Sequence, residues 1–310
     1  AATTGGNDTV YSTLSSYTLG ANVENGRLIT TSAANLTGNS LNNVLYAGVG
    51  NNVLDGSTGI DTVSYTYGVT GTTGVSVSLA LTTAQATGGS GSDTLIAIEN
   101  LTGSNNNDTL TGNSAANILS GGGGIDTMAG GDGSDIYYVQ DIGDLVSETN
   151  ATASTGGTDT VYSTLSSYTL GTNVENGRIL NTGAANLTGN SLNNVLYAGV
   201  GNNALDGGTG TDAVSYAYAT AAVQLSLALT TAQATGGSGY DRLAGIENLT
   251  GSAYADTLTG NSTANVLDGG AGIDTMTGGD GSDVYYVRDV GDLVSETNAT
   301  ASSGGTDTVY

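Results

Sequence analysis

The chain has 310 residues and a formal charge of −24, carried by 28 acids against four arginines, with no His, Lys, Cys, Pro, Trp or Phe. That inventory argues against nucleic-acid binding, which works by neutralising phosphates with Lys and Arg, rules out disulfides, and excludes Ser-His-Asp, Cys-His and Schiff-base catalysis. No apolar run approaches the ~20 residues that span a bilayer, so neither nucleic acid nor membrane insertion is expected, and the natural partner is a hard cation with oxygen ligands.

The chain opens with GGNDTVY at 5–11, followed by a Tyr-, Thr- and Leu-rich stretch over 8–34. From Gly38 a nine-residue period begins: GNSLNNVLY, AGVGNNVLD and GSTGIDTVS, with apolar Leu45, Leu54 and Val63 at position eight. The segment 61–85 breaks the period while keeping β-rich residues, and both it and 8–34 are expected to form wider coils. GGSGSDTLI follows at 88–96. From Gly103 the period runs without a gap through GSNNNDTLT, GNSAANILS, GGGGIDTMA, GGDGSDIYY and VQDIGDLVS. Position eight is again apolar (Leu110, Leu119, Met128, Tyr137, Val146), and position six is Asp108, Asn117, Asp126, Asp135 and Asp144. The whole pattern then recurs. NLTGNSLNNVLYAGVGNN stands at 35–52 and at 186–203, which divides the chain into long repeats 1–155 and 156–303, with a third copy starting at 304–310.

A helix needs apolar residues at a period near 3.6, which a nine-residue period rich in Gly pairs cannot supply. A short strand followed by a Gly-rich turn fits, and two such units make a coil of about 18 residues whose apolar side chains are buried only against neighbouring coils. The expected fold is all-β, a parallel β-roll or β-solenoid of stacked coils with calcium ions in the Gly/Asp turns.

Turns 18 residues apart stack on one edge, so Asp108, Asp126 and Asp144 should form one column, and Asn117 and Asp135 the opposite one. Two stacked turns offer carboxylates and carbonyls toward the six to eight oxygens that calcium takes. The candidate ligands are Asp61, Asp93, Asp108, Asp126, Asp135 and Asp144, with Asp212, Asp241, Asp256, Asp274, Asp283 and Asp292 in the second repeat. The glycines Gly121, Gly122, Gly124, Gly130, Gly131 and Gly133, and Gly269, Gly270, Gly272, Gly278, Gly279 and Gly281, are candidates through their carbonyls. Asn43, Asn52, Asn117, Asn194, Asn203 and Asn265 put a poorer neutral ligand at position six. Asp61 follows a turn with Ser57 in place of the second glycine, so its removal is expected to matter less than that of Asp126. Glu24, Glu99, Glu175 and Glu247 are read as solvated or hydrogen-bonded structural residues and not as ligands. A lone Asp of this kind would merely cap its own turn; tandem register is what favours metal.

GGGGIDTMA and GGDGSDIYY at 121–138, GGAGIDTMT and GGDGSDVYY at 269–286, GGTGTDAVS at 207–215, GGSGSDTLI at 88–96 and GGSGYDRLA at 236–244 all fit GGxGxDxUx, U being apolar. This resembles the RTX, or hemolysin-type, calcium-binding repeat, and the DIGDLVSE, DTVYSTLSSYTLGANVEN and GNSLNNVL segments are similar to large repeat proteins of that family. The resemblance implies calcium bridging successive coils and export from a bacterium by type I secretion; the missing His, Cys and Lys, with the acids committed to turns, lead to the expectation of a role without catalysis. The leading expectation is an extracellular structural array (filament, surface layer, biofilm matrix or adhesin stalk) that self-associates head to tail. The alternative is a folding and secretion module of a larger enzyme or toxin; ice or glycan binding would need an unbroken Thr/Asn file.

Overall fold

The structure is a computed structural model that describes residues 5–148, 156–296 and 304–310. The chain divides into two compact units, Ala1–Asp159 and Thr160–Tyr310. Every regular element among the described residues is a strand.

In the first unit the strands Thr9–Ser12, Asn25–Leu28, Val44–Tyr46, Thr62–Ser64, Asn100–Thr102, Ile118–Ser120 and Ile136–Val139 pair in parallel, in that order. Between them the chain makes a second row. Ser16–Thr18, Ala34–Thr37, Asn52–Asp55 and Gly91–Ile96 form one run of it. Ser76–Ser78, Thr109–Thr111, Thr127–Ala129 and Leu145–Val146 form another. Such strands are short because each coil must turn twice within about 18 residues, and parallel pairing follows because every coil repeats the same winding. The second unit repeats the plan, with Thr160–Ser163, Asn176–Ile179, Val195–Tyr197, Ala213–Ser215, Asn248–Thr250, Val266–Asp268, Val284–Tyr286 and Thr308–Val309 in its long sheet.

The core is a file of position-eight side chains. Leu45, Leu54, Val63, Leu110, Leu119, Met128, Tyr137 and Val146 are fully buried, as are Leu258, Leu267, Met276 and Tyr285. Register stacks like on like: Leu110 lies against Met128, and Leu119 against Tyr137. Burying each such side chain is worth about 1.5–3 kcal/mol. The adjacent Tyr286 is exposed, as alternation along a strand requires.

Two departures from an even winding matter for the site. The stretch 8–34 makes coils close to the common size, since Thr9 pairs with Asn25 and Asn25 with Val44; it is not the wide coil its lost period suggested. The largest widening lies between Thr62 and Asn100, which pair directly, and between Ala213 and Asn248 in the second unit. In the first of these an antiparallel hairpin, Gln85–Gly88 with Gly91–Ile96, interrupts the parallel order. Its cause is local. Gly88 and Gly91 take φ of 73° and 93°, reversing the chain around Gly89 and Ser90. The Gln85 carboxamide then takes both backbone groups of Ser78, accepting its N–H (2.7 Å) and donating to its carbonyl (2.9 Å). Gln233 and Ser226 repeat this in the second unit.

Candidate metal sites in the turns

Position six is where stacked turns touch. Its backbone N–H donates to the carboxylate at the same place one coil later: Asn43 to Asp61 (2.6 Å), Asp108 to Asp126 (2.8 Å), Asn117 to Asp135 (2.6 Å) and Asp126 to Asp144 (3.1 Å). The second unit repeats the ladder from Asn194 to Asp212 (2.6 Å), Asp256 to Asp274 (2.7 Å), Asn265 to Asp283 (2.7 Å) and Asp274 to Asp292 (2.9 Å). Each of these aspartates thus spends Oδ1 on the fold. What Oδ2 meets divides the turns into two classes.

In the first class the turn closes on itself. The Ser104 N–H donates to Asp108 Oδ2 and the Ser104 hydroxyl to Oδ1 (3.0 Å), while Asp108 Oδ1 also accepts the Val75 N–H (2.6 Å). Ser252 and Asp256 are arranged alike. Where position six is an amide, Oδ1 accepts the N–H four residues back and Nδ2 donates to a carbonyl of the preceding coil, except at Asn203, whose side-chain oxygen and nitrogen are buried without a partner. Asn117 is bonded in this way to Asn113 (2.8 Å) and Glu99 (2.8 Å), and Asn43 to Asn39 (2.7 Å) and Val23 (3.0 Å). Such turns are electrically complete.

In the second class Oδ2 is buried with no donor. This holds for Asp61, Asp126, Asp135, Asp212, Asp274 and Asp283, each at most 1% exposed. All six end turns with glycine at position four, and both positions two and four have positive φ: 93° and 117° at Gly122 and Gly124, 103° and 111° at Gly131 and Gly133. A left-handed residue at position two turns its N–H away from the carboxylate, which removes the donor that closes the first class. Glycine at position one has a separate cause, since a Cβ on Gly121 would strike the Asp126 carboxylate. A Cβ on Gly124 would stand 2.6 Å from the carbonyl carbon of Asn106 in the coil below. Gly269, Gly270 and Gly272, and Gly278, Gly279 and Gly281, share these constraints around Asp274 and Asp283. The turn at Asp61 belongs here in spite of Ser57, which itself adopts φ of 75°.

The remaining sequence candidates sit elsewhere. Asp144 Oδ2 accepts the N–H groups of Gln140 and Asp141 (both 3.0 Å), and Asp292 accepts those of Arg288 and Asp289 (both 3.0 Å). Asp93 and Asp241 follow GGSGxD turns that the hairpin has bent differently. Asp93 accepts the Asn52 N–H (2.7 Å) and lies 3.4 Å from the Thr87 hydroxyl; Asp241 accepts the Asn203 N–H (2.7 Å) and the Tyr216 hydroxyl (2.9 Å). Further column members lie outside the predicted ligands: two glutamates read as solvated or hydrogen-bonded, and two aspartates that the sequence did not single out. Glu99 and Glu247 occupy ladder places, accepting the N–H of Asp61 (2.7 Å) and Asp212 (2.8 Å). Asp159 and Asp307, in the GGTDTVY openings, accept those of Asp135 (2.8 Å) and Asp283 (3.0 Å). The available signal was that each immediately precedes a strand of the long sheet.

Burial pushes the Asp126 and Asp135 carboxyls up to about 6, against the lowering effect of the N–H bond each accepts. Neighbouring carboxylates act in the same direction as burial: Asp108, Asp144 and Asp141 on Asp126, and Glu148 on Asp135. Asp61, Asp212, Asp274 and Asp283 are raised from the same causes, burial first. A buried, donor-less oxygen beside further carboxylates is what a hard divalent cation relieves, so these residues fit calcium.

The family model of the RTX calcium-binding nonapeptide repeat matches residues 32–63, 101–137, 181–215, 243–276 and 259–293, together half of the chain. The chain belongs to this family. Its nonapeptide repeats bind calcium, and all six turns with a donor-less Oδ2 lie inside the matched segments, whereas the hairpin turns ending at Asp93 and Asp241 lie outside them. No curated protein matches the RTX chain described here.

Proposed function

We propose that this RTX chain is an extracellular, calcium-locked structural array without catalytic activity, serving as a filament, surface-layer, matrix or adhesin-stalk component. The observation that carries the reading is the set of six buried aspartate oxygens without donors. Leaving such a group unsatisfied costs about 1–3 kcal/mol, and six of them rival the roughly 5–15 kcal/mol by which a domain is stable. Asp61, Asp126, Asp135, Asp212, Asp274 and Asp283 would each hold a calcium ion together with the acid stacked above it and the glycine carbonyls of the turn.

The array reading draws on the third copy. Its first strand, Thr308–Val309, adds in register to Val284–Tyr286 and so extends the sheet as the strands before it do. Coupling of metal to fold also gives a logic for export, because cytosolic calcium is scarce and the chain would fold only outside. Far-UV circular dichroism tests this directly. In chelator at neutral pH the spectrum should be largely coil, returning to β with millimolar calcium; a β spectrum that ignores chelator would refute the proposal.

A further inference from the structure

One carboxylate cluster stands outside the nine-residue register. Asp283, Glu296 and Asp307 bring carboxylate oxygens within 4.8 Å of one another, the one such trio among the described residues. They come from three different segments. Asp283 ends the turn GGDGSD, Glu296 ends DVGDLVSE, and Asp307 lies in GGTDTVY, the opening of the third copy. Hydrogen bonds assemble them: the Asp283 N–H donates to Asp307 Oδ1 (3.0 Å), the Gly279 N–H to Glu296 Oε2 (3.1 Å), and the Tyr285 hydroxyl to Glu296 Oε1.

Grouped acids alone are common on protein surfaces. Here a second observation points to a ligand. Asp283 is fully buried, and its Oδ2 has no donor. A Cβ placed on Gly278 would strike that oxygen and the Tyr285 hydroxyl together, so Oδ2 is directed at the same spot as the hydroxyl that Glu296 holds. The Glu296 and Asp307 charges both act on Asp283. The first unit repeats the hydrogen bonding that gathers these segments, although its three carboxylates do not close to within 4.8 Å of one another. Asp135 is fully buried with a donor-less Oδ2, Glu148 accepts the N–H groups of Gly130 (2.8 Å) and Gly131 (3.1 Å), and Asp159 accepts the Asp135 N–H (2.8 Å).

We propose that Asp283, Glu296 and Asp307, and likewise Asp135, Glu148 and Asp159, form a composite calcium site that clamps the opening turn of one long repeat onto the last nonapeptide turn of the copy before it. The site rests on the calcium reading above but differs from it in kind, since two of its three carboxylates lie outside any nonapeptide. The step between stacked aspartates is 24 residues here instead of 18, and the extra length brings in the glutamate. Three carboxylates on one ion favour calcium more than the sparser turns do, because affinity rises with ligand charge.

The test counts calcium ions bound by the full chain, using equilibrium dialysis and calorimetry with calcium alone. Glu296→Gln and Asp307→Asn should each lose one equivalent, and the double variant should lose that same single equivalent. Glu148→Gln should lose a different one, additively with Glu296→Gln, and so carries the test if a variant at the other joint fails to fold. Circular dichroism at saturating calcium should keep its β signal throughout. Variants that bind as many ions as the parent with unchanged affinity would overturn the composite site alone. A parent chain that binds no calcium would overturn the underlying reading as well.

Discussion

Replacing Asp126 by asparagine exchanges one oxygen for an amide nitrogen, and the structure requires the sign of its effect to depend on calcium. With calcium, the variant lacks a charged ligand; a site held at a hundredfold excess over Kd contributes about 2.7 kcal/mol, most of which is lost. In chelator, the same change removes a buried carboxylate whose Oδ2 has no donor and whose neighbours are Asp108, Asp144 and Asp141. Relief there is worth about 1–3 kcal/mol. The swing between the two conditions is therefore roughly 4–6 kcal/mol. Urea unfolding measures the calcium-bound arm. Titration with trimethylamine oxide, which drives compaction, measures the chelator arm, where Asp126→Asn should fold at a lower osmolyte concentration than the parent. Asp108→Asn is the control. Both of its oxygens already accept N–H bonds from Ser104 and Val75, one of which an amide nitrogen forfeits, so its gain in chelator should be smaller than that of Asp126→Asn. An Asp126→Asn chain that is weakened in chelator would refute the reasoning.

Ser57→Gly should raise the melting temperature in calcium, because a non-glycine residue at φ of 75° carries about 1 kcal/mol of strain; a lower melting temperature would count against the assignment of that turn. Burial pushes Asp93 and Asp241 up to about 6 from an ordinary 3.8, against the bonds donated by Asn52 and Asn203. Since the folded value is the higher one, the stabilisation is complete below about 3.8 and fades as pH rises through about 6, by up to roughly 3 kcal/mol for each. Asp93→Asn should accordingly gain on the parent in thermal melts between pH 4 and 7, and a flat difference would exclude it. The unpaired strand edges left at the ends of a repeat template further strands, so light scattering of concentrated chain should reveal calcium-dependent head-to-tail association that chelator reverses; a monomer at all concentrations would remove that mode of assembly.

Much of the fold could be read from period nine. Leu110, Leu119, Met128 and Tyr137 recur at one place, and a side chain that recurs every nine residues has no helical face to occupy. The hairpin could not be read, because Gly88-Gly89-Ser90-Gly91-Ser92-Asp93 matches the calcium motif letter for letter. Its fate is decided by Gln85, whose side chain substitutes for a strand partner, and by positive φ at positions one and four instead of two and four. Conversely, Ser57 made its turn look defective, although the backbone there follows the glycine path. Glu99 and Glu247, read only as solvated or hydrogen-bonded, could not be placed in the column by spacing, because a longer side chain reaches the same N–H that an aspartate reaches elsewhere. Spacing identifies where turns stack, but which carboxylate oxygen lacks a donor depends on backbone angles that the letters only partly encode.

The central claim is that left-handed backbone at positions two and four marks the calcium turns. The most direct measurement compares calcium bound at saturation by two multiple variants. One carries asparagine at Asp61, Asp126, Asp135, Asp212, Asp274 and Asp283, the other at Asp93, Asp108, Asp241 and Asp256. The first set should abolish nearly all binding while the chain folds without calcium, as its neutral turns now can. The second should bind as many ions as the parent. Equal losses from both sets, or binding that survives the first, would contradict the account.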